Sequence, residues 1–123
     1  MITIKDAPEA IGTYSQGIKY GDLIFTSGQI PLDPKTGNLI SGNIKEEIRQ
    51  VLNNLNAVLI GGGSSLQSTV KLTVFITDLS CFLDLNEVFR EYFFEDPPAR
   101  SVVQVSALPL GVRIEIEAIG IKE

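Results

Sequence analysis

Arg100 is the residue whose type and position most directly suggest binding chemistry. It follows Pro97-Pro98-Ala99 at the start of a predicted strand, where two prolines stiffen the backbone leading to it. A guanidinium held there can bind a carboxylate through two hydrogen bonds and keeps its proton. The alternative is a structural ion pair with a nearby glutamate, and the position of Arg100 alone favours this commoner arrangement.

Glu115 and Glu117 form a pair of carboxylates near the end of the chain. They alternate with Ile114, Ile116 and Ala118, so they share one face of a predicted strand with side chains about 7 Å apart. If another subunit covers this face, one carboxyl would have a raised pKa and could move protons near neutral pH. The alternative is a solvated strand face whose charge is balanced by a neighbouring arginine, Arg113.

Three further side chains allow two interpretations each. Asn86 lies on the apolar stripe of a predicted helix, where its amide either sits at the core edge or makes a specific hydrogen bond. Tyr14, in a polar loop, either covers a pocket or packs. Cys81, beside a helix start, either has a lowered pKa or is a buried structural thiol.

Residue types that the sequence lacks limit the catalytic and metal-binding groups available to the protein. The sequence contains no histidine, which excludes an imidazole base or a Ser-His-Asp triad within one chain. With one cysteine, zinc sites built from the usual nitrogen and sulfur ligands and an intrachain disulfide are excluded too. Carboxylates, arginine, lysine, tyrosine, hydroxyls and backbone groups remain, and no metal is expected.

Composition indicates one soluble domain spanning residues 1–123, with 44% hydrophobic and 20% charged residues. The net charge is −5 and no two basic residues are adjacent, which argues against DNA binding and a membrane-surface role. No apolar run is long enough to span a membrane, and no secretory signal is visible. We expect a cytoplasmic protein that acts on small molecules or binds protein partners.

Apolar spacing predicts the element order ββαβαββ. The predicted elements are strands at 18–20 and 23–27, a helix from the cap Asn43 to the glycines at 61–63, a strand at 70–77, a helix from the cap Ser80 to about residue 94, and strands at about 101–106 and 112–121. Two helices can cover one face of such a sheet, so the fold class is a two-layer α+β domain.

The uncovered sheet face is predicted to mix apolar and charged residues. Its expected members are Phe75, Val102, Ile119 and Ile121 together with Gln104, Arg113, Glu115 and Glu117. Such a face is too apolar at one end for water, and a partner subunit is the simplest cover. We therefore expect a homo-oligomer.

Several segments in order resemble the RidA/YjgF family of reactive-intermediate deaminases, over essentially the whole chain. The matching stretches are Ala7-Pro8-Glu9-Ala10-Ile11-Gly12, Tyr14-Ser15-Gln16-Gly17, Ser27-Gly28-Gln29-Ile30-Pro31-Leu32-Asp33-Pro34, Val51-Leu52-Asn53-Asn54-Leu55, Val70-Lys71, Val74-Phe75, Asn86, Pro98-Ala99-Arg100-Ser101, Leu108-Pro109 and Ile114-Glu115-Ile116-Glu117-Ala118. No single stretch is specific, whereas their combination is.

The resemblance implies a chorismate-mutase-like α+β fold and a homotrimer with sites in clefts between subunits. It implies a cofactor-free 2-iminobutanoate/2-iminopropanoate deaminase, a hydrolase acting on C=N bonds. Its substrates would be reactive enamines and imines such as 2-aminoacrylate and 2-iminobutanoate, released by pyridoxal-phosphate enzymes. Its products would be 2-keto acids and ammonia.

The resemblance also implies roles for individual residues. Arg100 would bind the substrate carboxylate, and Glu115 would orient or activate the attacking water. Four other positions match those that line the family's cleft or bind ligand through main-chain groups: Tyr14, Asn86, Gly28 and Val102. Glu117 keeps a structural role.

The sequence departs from the family pattern in four places: Thr13 replaces the usual proline, Phe89 a common tyrosine, Val102 a frequent cysteine, and the segment 95–96 is short.

One alternative function is a non-catalytic 2-keto acid sensor. A second is an endoribonuclease or translation inhibitor, which the acidic charge, absent histidine and scattered basic residues disfavour.

Overall fold

The computed structural model describes residues 1–123 and contains the expected five strands and two helices. Their bounds are β1 Gly17–Tyr20, β2 Leu23–Thr26, α1 Ile44–Gly61, β3 Thr69–Ile76, α2 Phe82–Tyr92, β4 Ala99–Gln104 and β5 Ile114–Ile121. Short 3-10 turns at Leu66–Ser68, Leu79–Cys81 and Pro109–Gly111 join them. The predicted order ββαβαββ is confirmed.

The strands form one mixed sheet in the order β1-β2-β5-β3-β4. The last strand, β5, lies in the middle and pairs antiparallel with both β2 and β3. Strands β3 and β4 are parallel, so α2 forms the crossover between them. This topology places β4, the strand of Arg100, at one edge of the sheet.

Helix α1 supplies most of the core through one apolar stripe. Six of its residues are fully buried, as the spacing predicts: Ile48, Val51, Leu52, Leu55, Val58 and Leu59. Asn43 caps the helix by accepting a hydrogen bond from the Lys45 backbone at 2.9 Å. The helix ends at Gly61, and Gly63 follows with a φ of 90°, which glycine adopts without strain.

Helix α2 begins later than the sequence predicts. Asp78, rather than Ser80, is the capping side chain, and it accepts a hydrogen bond from the Ser80 backbone N–H at 2.8 Å. A 3-10 turn follows before α2 starts at Phe82, and the helix ends at Tyr92 rather than near residue 94. Val70 shares the alternation of the buried Leu72, Val74 and Ile76 but is itself exposed, because the β3–β5 register shifts between Thr69 and Lys71.

The sheet face opposite the helices is open, but three of its predicted members were wrong. Val102 pairs with Val74 and packs against the core on the helix side. Arg113 binds Glu47 of α1, and Gln104 accepts a hydrogen bond from the Leu79 backbone at 2.9 Å. Because strand residues alternate between faces, Val103 takes the place expected for Val102.

Register and burial place a largely apolar surface on this open face. Its members are Ile18, Tyr20, Leu23, Phe25, Phe75, Val103, Ile119 and Ile121, interspersed with Lys71, Thr73, Ser101, Glu115 and Glu117. Phe25, for example, keeps 38% of its surface exposed although it lies in the second strand of a five-stranded sheet. Apolar surfaces of this kind commonly contact another subunit.

Candidate functional site

Arg100 projects from β4 towards α2, on the helix side of the sheet. Its Nη2 donates a hydrogen bond to Asn86 Oδ1 at 3.0 Å. Its Cζ lies 5.1 Å from the ring centroid of Phe89 and 5.4 Å from that of Phe82, distances at which ring faces attract a cation. The side chain is therefore held in one orientation by an amide and two aromatic rings.

Arg100 has no acidic partner in the chain. The ion pairs of the structure join Lys45 to Glu87, Arg49 to Glu46 and Glu91, and Arg113 to Glu47. The predicted structural ion pair of Arg100 is thus wrong, and the hydrogen-bonded interpretation of Asn86 is confirmed. Burial lowers the pKa of Arg100, although a guanidinium remains charged in proteins.

A cavity of about 370 Å³ opens beside Arg100. It is lined by Asn86, Phe89, Arg90, Phe93, Pro97, Pro98 and Arg100. The lining contains two guanidinium groups, one amide and no carboxylate. It therefore suits an anion with an adjoining apolar part.

A second cavity, of about 300 Å³, is lined by Glu115 together with Tyr14, Gly28 and apolar residues that include Ile11, Ile30 and Leu110. Glu115 lies directly against Gly28: a Cβ added to Gly28 would stand 2.8 Å from Glu115 Cδ. Contacts this short do not occur between real side chains, so a side chain at this position would displace the Glu115 carboxylate. The loop that contains Gly28 therefore packs closely against strand β5 at Glu115.

Glu115 is half-buried, and its charge has no cation beside it. Burial raises the pKa of Glu115, and repulsion from Glu117, two residues further along the same face, raises it further. Arg113 does not balance these carboxylates, because its guanidinium hydrogen-bonds Glu47 and the Gly42 carbonyl instead. A carboxyl with a raised pKa in a cavity is suited to proton transfer.

Tyr14 lies at the outer wall of the Glu115 cavity. Its hydroxyl accepts a hydrogen bond from the Ile11 backbone at 3.3 Å, and its ring is about half exposed. Gln16, two residues on, is buried and binds the carbonyls of Ile4, Ala7 and Pro8. Gln16 therefore ties down the chain that precedes the tyrosine.

Asn54 is a buried polar residue to which the sequence analysis gave no role. Its side-chain amide donates to the carbonyls of Ile30 and Leu32, at 3.1 and 2.9 Å. In the same loop, Gln29 exchanges two backbone hydrogen bonds with Ile116 at 2.8 and 3.0 Å. Together they hold the loop of Gly28 against β5. No clear signal in the sequence marked Asn54, because Asn53 and Asn56 lie beside the same apolar stripe of α1.

The predicted site residues fall into two separate groups. Arg100 and Asn86 share the first cavity, whereas Tyr14, Gly28 and Glu115 share the second. Val102 lines neither cavity. Arg100 of β4 pairs with Leu72 of β3, and Leu72 pairs in turn with Ala118 of β5. Ala118 lies three residues beyond Glu115 on the same strand. The Cα atoms of Arg100 and Glu115 are therefore about 14 Å apart, and the side chains point to opposite sheet faces.

The structure brings no three potential ligands among His, Cys, Asp and Glu close enough together to hold a metal ion. None of its helices combines the length and apolar character required to cross a membrane.

The two-layer α+β arrangement, with both helices on one side of a β1-β2-β5-β3-β4 sheet, matches that of solved RidA/YjgF structures. A family model described as endoribonuclease L-PSP matches residues 4–122. The chain therefore belongs to the endoribonuclease L-PSP family, which is the RidA/YjgF family. The resemblance seen in the sequence and the fold it implies are both confirmed.

Named relatives cover nearly the whole chain. A RutC family protein of Pyrococcus horikoshii is 51% identical over 100% of this chain and 98% of its own. The human 2-iminobutanoate/2-iminopropanoate deaminase is 43% identical over 99% of this chain and 89% of its own. The crystal structure of Escherichia coli TdcF with bound serine superposes with a TM-score of 0.95 at 42% identity, covering 100% of this chain and 98% of that one.

Proposed function

We propose that this protein hydrolyses reactive imines and their enamine tautomers, among them 2-iminobutanoate and 2-aminoacrylate, to 2-keto acids and ammonia. The observation that carries the proposal is Arg100, a guanidinium oriented by Asn86 and two rings but bound to no carboxylate of its own chain. The human relative named as an imine deaminase supports the choice of substrate. Serine, which TdcF binds, carries the kind of α-carboxylate that Arg100 would recognise.

The reaction needs one anchor and one proton-transfer group. Arg100 binds the carboxylate of the imine, which fixes the adjacent C=N carbon. Glu115 takes a proton from a water as its oxygen bonds to that carbon and passes it to the nitrogen, which gives a carbinolamine; it then takes the hydroxyl proton as the C=O bond forms and passes it to the nitrogen as the C–N bond breaks. One imine and one water thus give one 2-keto acid and one ammonia.

The two groups meet only if two chains contribute to one site. Within a chain Arg100 and Glu115 lie on opposite sheet faces, so the Arg100 cavity of one chain would be completed by the Glu115 cavity of another. The open apolar face offers the contact surface for such an assembly. We propose a homotrimer, the assembly that the family resemblance implies.

A complementation experiment tests this arrangement. Arg100→Ala and Glu115→Gln variants are unfolded together in equal amounts, refolded, and compared with each variant alone. In a randomly mixed trimer about one site in four combines an intact Arg100 with an intact Glu115, so about a quarter of wild-type activity should return. If both residues served one chain's own site, mixing would restore nothing. Light scattering on the refolded sample measures its oligomeric state, and a mass other than that of a trimer would contradict this arrangement.

The assay follows 2-iminobutanoate, generated by threonine dehydratase in the presence of semicarbazide, as it is diverted to 2-ketobutyrate. Faster keto-acid formation supports the deaminase. A well-folded assembly without effect on the rate would instead favour the 2-keto acid sensor, and titration with 2-ketobutyrate would then measure its binding.

Gly28→Ala is expected to lower kcat by about 10- to 100-fold, because the new methyl group must push the Glu115 carboxylate aside. Gly21→Ala is an unsuitable control, since Gly21 has a φ of 59°. Ser106→Ala, on an exposed residue that lines neither cavity, serves instead. An unchanged kcat in a folded Gly28→Ala protein would contradict the proposed role of Glu115.

A further inference from the structure

Arg90 is the second guanidinium of the Arg100 cavity, and the proposed function does not use it. It lies on α2, four residues after Asn86 and directly after Phe89, and Phe93 follows at the C-cap of the helix. The four-residue spacing places Arg90 on the same helical face as Asn86, one turn further along. Arg90 is exposed at the cavity rim, whereas Arg100 is half-buried inside.

The acidic residues closest to Arg90 on α2 are already bound to cations of α1. Glu87, three residues before it, pairs with Lys45, and Glu91 pairs with Arg49 at 2.8 Å. Arg90 itself takes part in no ion pair or side-chain hydrogen bond within the chain. In a protein of net charge −5, this cavity therefore contains two cations that form no ion pair within the chain.

We propose that this cavity accepts ligands with two anionic groups, so that the substrates include imines whose side chain ends in a carboxylate. The inference rests on the proposed function, because Arg100 holds the α-carboxylate in both. Arg90 binds the second carboxylate at the cavity rim. The apolar walls formed by Phe89, Phe93 and Pro97 face the methylene groups between the two charges.

One turn of helix separates the backbone of Asn86, which orients Arg100, from that of Arg90. This step is about 6 Å along the helix axis, and the long arginine side chain adds reach. A diacid of four or five carbons fits this separation. Its second carboxylate takes no part in the reaction: water still replaces the imine nitrogen, giving a 2-oxo dicarboxylate and ammonia.

Isothermal titration calorimetry with two matched products tests the proposal. The ligands are 2-oxoglutarate and 2-oxopentanoate, which have the same carbon number but end in a carboxylate and a methyl group respectively. The wild-type protein should bind 2-oxoglutarate about tenfold more tightly at low ionic strength, since one charge-assisted contact is added. Arg90→Gln should reduce this ratio to about one. Lys35→Gln, which removes a cation outside both cavities, should preserve it.

Each result distinguishes the two proposals. Equal affinities in the wild-type protein, or a preference that survives Arg90→Gln, would overturn the dianion inference while leaving the deaminase proposal in place. Binding of neither acid would count against the Arg100 carboxylate site and hence against both. A preference that is lost equally in Lys35→Gln would indicate only long-range charge attraction and would also overturn the inference.

Discussion

Arg100→Ala is expected to reduce kcat/KM for 2-iminobutanoate hydrolysis by about 100- to 1,000-fold. The change removes the only group proposed to bind the substrate carboxylate and leaves Asn86, Phe82 and Phe89 around an uncharged gap. The reacting carbon then loses its fixed position, so kcat should fall as well as affinity. The measurement is the coupled semicarbazide assay over a range of imine concentrations.

Arg100→Lys is the matched control because it keeps the charge but loses the planar fork. A lysine presents a point charge and cannot form two parallel hydrogen bonds with a carboxylate, so activity between wild type and Arg100→Ala is expected. Because Arg100 makes no ion pair, thermal unfolding should change little in either variant. Wild-type kinetics in a folded Arg100→Ala protein would contradict the proposal that Arg100 binds the substrate carboxylate.

The fold was largely predictable because strong local patterns determine it. The α1 stripe and the cap Asn43 were predicted from spacing alone. The errors concern local details that depend on tertiary contacts. A register shift turns Val70 outwards, and an Asp78 turn delays α2. At an edge strand, both faces carried similar residues, so alternation could not distinguish Val102 from Val103.

The site was less predictable because its groups depend on partners distant in sequence. Spacing alone could not show that Arg113 turns to Glu47, 66 residues away, which leaves Glu115 without a counter-charge. It also could not show that Arg100 and Glu115 lie on opposite faces, since that follows from the register of β3 with β4 and with β5. The catalytic roles of these residues came from the family resemblance and stay predictions, as does the ligand-binding role of Val102.

Glu115→Gln is expected to reduce kcat for imine hydrolysis by about 100- to 10,000-fold, the usual contribution of a positioned general base. Glutamine has nearly the same shape, so it should still fit against Gly28 and fill the cavity. The KM should therefore change less than kcat. A comparable loss of kcat in Glu117→Gln would show that the proton transfer does not depend on Glu115 in particular, and would contradict the proposal.

The pH dependence of the wild-type enzyme gives a second test. The carboxylate form of Glu115 is the active base, so kcat should fall as the pH drops through its raised pKa. Glu117→Gln removes the repulsion that contributes to the raised pKa, and should shift this acidic limb to lower pH. An acidic limb that stays in place in Glu117→Gln and is still present in Glu115→Gln would belong to another group.

The raised pKa of Glu115 also predicts how Glu115→Gln changes stability, and this effect is opposite in sign to the expected loss of activity. Because folding raises the pKa of Glu115, the native state binds its proton more tightly than the unfolded chain does. Its contribution to stability is thus greatest at acidic pH and is lost as pH rises through the folded-state pKa. At pH 7 Glu115→Gln should unfold at the same or a slightly higher temperature than wild type, and the difference should disappear below about pH 4. A variant that loses activity without losing stability would show that the buried carboxylate is kept for chemistry and not for the fold.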